Sequence, residues 1–153
     1  MGFEKSLRQG CLGELLVREH LESQNWGRSI VDLRKDRQSQ ENDVDFLIEN
    51  LTRQFVKLEV KTDFVGHKTG NIAYELTTSG NIGCFEKTKA DWIAYLLAES
   101  RDLFILDVNK LKQFAKSGKY QIVNMGDYAK GYLIPIKDLR YNGVIIKEYK
   151  DIG

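Results

Sequence analysis

Two carboxylates and an amine, Asp45, Glu59 and Lys61, stand in neighbouring apolar segments at a spacing that brings them together. Side chains alternate along a strand. In the segment 54–61, Lys57, Glu59 and Lys61 therefore share one face, while Val56, Leu58 and Val60 share the other. The segment 44–48 is a second strand, with Asp43 and Asp45 on one face. The short turn over 49–53 makes the two an antiparallel hairpin. Folding about 50–53 sets Asp45 opposite or diagonal to Glu59 and brings Asp43 nearer Lys61. Directly opposite Cβ atoms lie roughly 4.5–5.5 Å apart. Carboxylates that close disturb each other's ionisation unless a cation sits between them. A hard divalent ion such as Mg²⁺ suits such a site, completed by a carbonyl and waters. Lys61 beside it would balance charge on a phosphate or help deprotonate an attacking water. The ordinary alternative is a solvated strand face, but like charges set opposite each other cost that reading stability. Asp43 competes with Asp45 for the aspartate role.

The elements that must position these groups begin with a helix over about 4–25. Phe3, Leu7, Cys11, Leu15 and Leu21 recur as an apolar stripe, and Asn25-Trp26-Gly27 closes the segment. Glu14 projects from the middle of that stripe. A lone buried carboxylate is costly, so it needs a partner. Two candidates stand: Arg18 one turn later, and the carboxylate site on the adjacent hairpin.

Residues 29–33 read as a short strand and the polar stretch 34–42 as an exposed loop. A further strand runs through 72–76, and a helical turn is expected around 85–90. Residues 91–97 and 103–106 read as buried strands joined at 99–102. A helix spans 108–115 with Asp107 as its cap. Apolar runs at 132–136 and 144–146 follow, and Pro135 places the first at a sheet edge or a strand end. With 153 residues, no repeat and no linker, residues 1–153 read as one α/β domain.

Composition is that of a globular chain, 42% apolar and 29% charged. No run approaches the ~18 apolar residues of a membrane helix. The first residues form no apolar signal region, so a cytoplasmic location is expected. Cys11 and Cys84 have no metal-ligand spacing, and Cys11 is read as a small core hydrophobe. His20 and His67 stand apart from other soft ligands, which argues against structural zinc. A net charge of +1 decides nothing about nucleic acid, because binding depends on the local field.

Glu14 on the first helix, Asp45 on one strand and Glu59-Val60-Lys61 on the next resemble the PD-(D/E)XK nuclease superfamily. That group includes restriction enzymes, archaeal Holliday-junction resolvases, some homing endonucleases and phage nucleases. The resemblance covers roughly residues 4–107. It implies a restriction-endonuclease-like core, a mixed central β-sheet flanked by helices in the order α-β-β-β-α-β. Asp45, Glu59, Lys61 and Glu14 match its motif positions, while Val44 stands where the motif has proline. A looser likeness, through Thr69-Gly-Asn-Ile-Ala-Tyr-Glu75, Ser79-Gly80 and Thr88-Lys-Ala-Asp-Trp92, is to some phage-type members. It implies that Glu75, Ser79, Lys87, Thr88 and Lys89 lie near the hairpin.

The function implied is Mg²⁺-dependent endonucleolytic hydrolysis of DNA, with Mn²⁺ as a substitute. Asp45, Glu59 and the Val60 carbonyl would hold the metal. Lys61 would orient or deprotonate the water, and Glu14 would hold a metal-bound water or a second ion. Lys35, Arg37 and Lys68, on the loops 34–37 and 65–70, join Ser79, Lys87, Thr88 and Lys89 as DNA-contact candidates. Their affinity should fall steeply with salt. A homodimer is expected by analogy with double-strand cutters. The competing readings are a nucleic-acid-binding module that keeps the fold but does not cut, and a structural protein whose carboxylates make only ion pairs.

Overall fold

The structure, a computed structural model, describes residues 2–24, 29–49 and 52–153, with the side chains of its first helix described from Arg8 onward. The expected Asn25-Trp26-Gly27 stop, the side chains of Phe3 and Leu7, and turn residues Asn50 and Leu51 lie outside the described residues.

Helix α1 (Gly2–Ser23) is followed by an antiparallel meander of β1 (Ser29–Asp32), β2 (Phe46–Glu49) and β3 (Phe55–Asp63), with α2 (Arg37–Glu41) between β1 and β2. Then come α3 (Gly66–Thr69), β4 (Asn71–Thr78), β5 (Asn81–Ile82), α4 (Cys84–Lys87) and β6 (Trp92–Leu97). The chain continues as β7 (Asp102–Asp107), α5 (Val108–Ala115), β8 (Val123–Met125), β9 (Ala129–Pro135), α6 (Ile136–Tyr141) and β10 (Ile145–Tyr149). Six strands form a mixed sheet ordered β1-β2-β3-β6-β7-β10, in which β3 and β6 run parallel. The other four form an antiparallel sheet ordered β5-β4-β9-β8. The protein is thus mixed α/β, with a mixed central sheet flanked by helices.

Both faces of the six-stranded sheet are covered, which is why Trp92-Ile-Ala-Tyr-Leu-Leu97 is apolar without alternation. Ala94 and Leu96 pack with Phe46, Leu58, Leu103 and Ile105 under Val17 and Leu21 of α1. Ile93, Tyr95 and Leu97 face the other way, against Ile72 and Tyr74 of β4, Ile134 of β9, Leu111 of α5 and Leu139 of α6. Each fully buried aliphatic chain contributes roughly 1.5–3 kcal/mol relative to exposure.

Three expectations need correction. The apolar stripe on α1 meets the core only at Leu21 among its described side chains: Cys11 is exposed and Leu15 is 44% exposed. The helix instead approaches β3 through Gly13, where an added Cβ would lie 2.1 Å from Thr62 Oγ1. Gly13, Val17 and Leu21 form the buried face. Secondly, the polar stretch 34–42 is exposed but holds α2, because the Asp36 carboxylate caps it by accepting from Ser39 N at 2.9 Å and Ser39 Oγ at 2.6 Å. Thirdly, no long helix joins β3 to the next strand of the central sheet. The connection is built from β4 and β5 with a four-residue helix on either side. Its residues Ile72, Tyr74 and Leu76 alternate with strand period, and Gly70 and Gly80 turn the chain at positive φ. Pro135 ends β9, one of the two placements expected for it, and β9 is an inner strand. Among the described residues no helix is long and apolar enough to cross a membrane.

Candidate active site

The site begins with a break in a strand. Asp43 takes φ 54°, a left-handed conformation that ends strand pairing before Val44. One residue outside β2, Asp45 is still held on both sides. Its N–H donates to Leu58 O at 2.9 Å, and its carbonyl accepts from Leu33 N at 2.8 Å. The β2–β3 register, Phe46 against Leu58, therefore stands Asp45 opposite Glu59. Beyond that point β3 continues to Asp63 paired with β6 on one edge only. The first backbone donor on its other edge, Val60 N–H, is taken by the Asp45 carboxylate, Oδ2 accepting at 2.8 Å. A strand residue presents its N–H and C=O to the same edge, so the Val60 carbonyl points to the Asp45 side as well.

Glu59 is 3% exposed. Its Oε1 lies 2.9 Å from Lys61 Nζ, while Oε2 is buried with no hydrogen-bond partner among the described residues. Burial pushes the Glu59 carboxyl above the usual carboxylate range, and Lys61 only partly offsets this. Asp45 is raised for the same reason, the Val60 N–H opposing the shift. Burial alone would lower Lys61, but the Glu59 charge beside it overrides that and holds the ammonium above its ordinary range.

Glu14 lies one position from Gly13 on α1, and the close approach at Gly13 brings it against the hairpin. Burial raises its pKa first, and the Asp45 charge raises it further. Its ion-pair partner is Arg34, not Arg18, while it stays electrostatically coupled to Asp45 of the hairpin. Arg34 Nη1 lies 3.2 Å from Glu14 Oε2, Arg34 Nη2 is 2.6 Å from Asp32 Oδ2, and the guanidinium stacks over Phe46 at 5.4 Å. Arg18 pairs with Glu22 at 3.1 Å and Asp32 at 3.5 Å.

Asp43, expected nearer Lys61, turns its carboxylate toward Lys87, with Oδ2 3.8 Å from Nζ. The left-handed residue breaks the alternation on which that expectation rested. Thr88 is 1% exposed, and its hydroxyl donates to Asp43 O at 3.3 Å and lies beside Glu59. It underpins the site from inside the fold. Arg37 is exposed and pairs with Glu41, and Lys35, Lys68 and Lys89 are exposed. Ser79 is also exposed, at a left-handed turn after β4.

Three participants carried no sequence signal. Gln40 of α2 donates to Val44 O at 3.3 Å, and its amide also reaches Asp45. Arg34 neutralises Glu14. Cys84 opens α4 beside Lys61, its thiol 3.7 Å from Glu75 Oε2 and pushed up to about 11 by burial.

Among the described residues, no three His, Cys, Asp or Glu side chains form a metal cage by themselves. That donor set is wrong for structural zinc. It fits Mg²⁺, which binds through one or two carboxylates and keeps several waters. The unpartnered Glu59 Oε2, the Asp45 carboxylate and the Val60 carbonyl are hard oxygens held along this stretch of β3. No family model matches the chain, and no curated protein or solved structure matches it either.

Proposed function

We propose that the chain is a metal-dependent endonuclease of the PD-(D/E)XK type, hydrolysing phosphodiester bonds of DNA at the open edge of β3. The observation that carries this is the convergence of Asp45, Glu59 and Lys61 where β2 parts from β3, with one Glu59 oxygen buried and unpartnered. An ion-pair role alone would leave no reason to bury that oxygen, since a desolvated acceptor without a partner is costly. The helix and antiparallel meander that precede the site agree with a restriction-endonuclease-like core, although the connection to β6 departs from that pattern.

Asp45, Glu59 and the Val60 carbonyl would hold Mg²⁺ or Mn²⁺. When bound, the ion supplies positive charge that offsets that of the phosphate and eases ionisation of the attacking water. Lys61 stays protonated beside Glu59, so it serves as a fixed cation for the phosphate and not as the base. Arg34 opposes the rise in the Glu14 pKa next to Asp45, Thr88 lies beside Glu59, and the Gln40 amide reaches Asp45. Lys35, Arg37, Lys68, Lys87 and Lys89 supply phosphate contacts, with Ser79 beside them, and their strength falls with salt. A homodimer would set two such sites against the two strands of a duplex.

The test is cleavage of plasmid and oligonucleotide DNA in Mg²⁺ or Mn²⁺. Salt-sensitive binding without cleavage under any divalent ion would leave a silent binding module in place of the enzyme.

A further inference from the structure

A cavity of about 440 Å³ opens beside the candidate site, between the end of β3 and the four-stranded sheet. Lys61 and the turn after β3, Val65 among it, line the cavity. The floor follows from strand alternation. Ile72 and Tyr74 of β4 point into the core, so Ala73 and Glu75 face the opposite way. Leu133 of β9 stands across from Ala73 in the register. Asn124 of β8 also lines the cavity.

Two features separate this cavity from a packing gap. Its volume falls in the range of small-ligand sites, roughly 300–1,000 Å³. Its apolar rim is also left in water, with Val65 61% and Leu133 44% exposed around a floor made shallow by Ala73. Apolar side chains gathered at a concave site, with a few polar groups at its edge, mark a binding surface. Lys61 belongs both to this cavity and to the carboxylate cluster, so a phosphate at Lys61 has the adjoining nucleoside within reach of it. A paired base in a continuous duplex cannot enter such a cavity without being extruded, which costs unstacking energy. An unpaired base has a free apolar face for Leu133 and Val65, and free edges for Glu75 and Asn124.

We infer that the cavity receives one unpaired nucleobase of the strand whose phosphate lies at Lys61. The preferred substrate is then nucleic acid with single-stranded or branched segments. This rests on the nuclease reading and names its substrate class.

The test uses the full chain and single-stranded oligonucleotides with 2-aminopurine placed at each position in turn, read in EDTA so that binding is measured without cleavage. Expected is a change in emission at one position and not at its neighbours, lost in Leu133→Glu and in Val65→Glu. Both substitutions are on the surface, and an unchanged melting temperature checks folding. An abasic residue at the same position should weaken binding roughly tenfold, the effect of losing one base contact. Uniform emission along the strand, or emission unaltered by both variants, overturns the inference. Cleavage of DNA together with uniform emission removes the base pocket and leaves the nuclease standing. A position-specific change without cleavage in any divalent ion supports the pocket and removes the nuclease.

Discussion

Asp45→Asn should make the metal-free protein more stable while abolishing its activity. Asp45 is 9% exposed, and burial raises its pKa above that of an unfolded aspartate. Its charge also raises Glu14. Asparagine keeps an oxygen that can accept from Val60 N–H and removes both the desolvated charge and the repulsion. Changes that relieve an unfavourable functional group commonly stabilise by about 0.5–2 kcal/mol. For a chain of 153 residues each kcal/mol moves the melting temperature by about 2–4 °C. The sign follows from linkage. A carboxyl whose folded pKa lies above its unfolded value binds more protons when folded, so wild-type stability falls as pH rises through that interval. The advantage of Asp45→Asn should therefore be present at neutral pH and vanish in acid, below the ordinary aspartate pKa of about 3.9. The assay is thermal unfolding in EDTA from about pH 3 to 8, a range that spans the ordinary aspartate pKa, repeated at neutral pH with Mg²⁺ or Mn²⁺. The divalent ion should raise the wild-type melting temperature and leave the variant unmoved. A lower melting temperature for Asp45→Asn at neutral pH in EDTA would refute the reasoning, because the carboxylate would then be a net structural group.

Lys61→Ala should lower cleavage by about 10²–10³-fold, the usual loss for one preorganised charge donor. It should also lower stability at neutral pH, since Glu59 would be buried without its cation; plasmid nicking and thermal unfolding check the two effects. Gly13→Ala places a Cβ 2.1 Å from Thr62 Oγ1 and should cost about 1–3 kcal/mol by pushing α1 off β3. Thr62→Ala in the same chain should recover part of that loss, as read in a double-mutant unfolding cycle. Arg34→Met should raise the Glu14 pKa further by removing its ion pair, measurable by NMR titration of the Glu14 carboxyl.

The hairpin was legible because its information is local. Alternation fixes the faces of β3, and a short turn fixes the register, so Asp45 opposite Glu59 follows from residues 44–61. What failed depended on contacts distant in sequence or on single backbone angles. Periodicity found α1 and the buried Leu21 but missed Gly13 and Val17 on the docking face, because a glycine carries no hydrophobic weight and the helix docks through Gly13. Asp43 was assigned to the strand because its left-handed φ is invisible in the residue type. Arg34, Gln40 and Cys84 reach the site from a loop, a short capped helix and a distant crossover. Nothing in their local sequence distinguishes them from ordinary surface or packing residues. The second sheet was only partly seen, as β8 and β5 are short and lack a clear period.

The most direct test of the nuclease account is a single comparison of wild type, Asp45→Asn and Lys61→Ala on supercoiled, linear, single-stranded and four-way-junction DNA, with Mg²⁺, with Mn²⁺ and with EDTA. Expected are cutting by the wild type with either ion, none in EDTA, and little or none by either variant. Full cutting in EDTA or by either variant would contradict it, as would a wild-type protein that cuts no DNA with either ion.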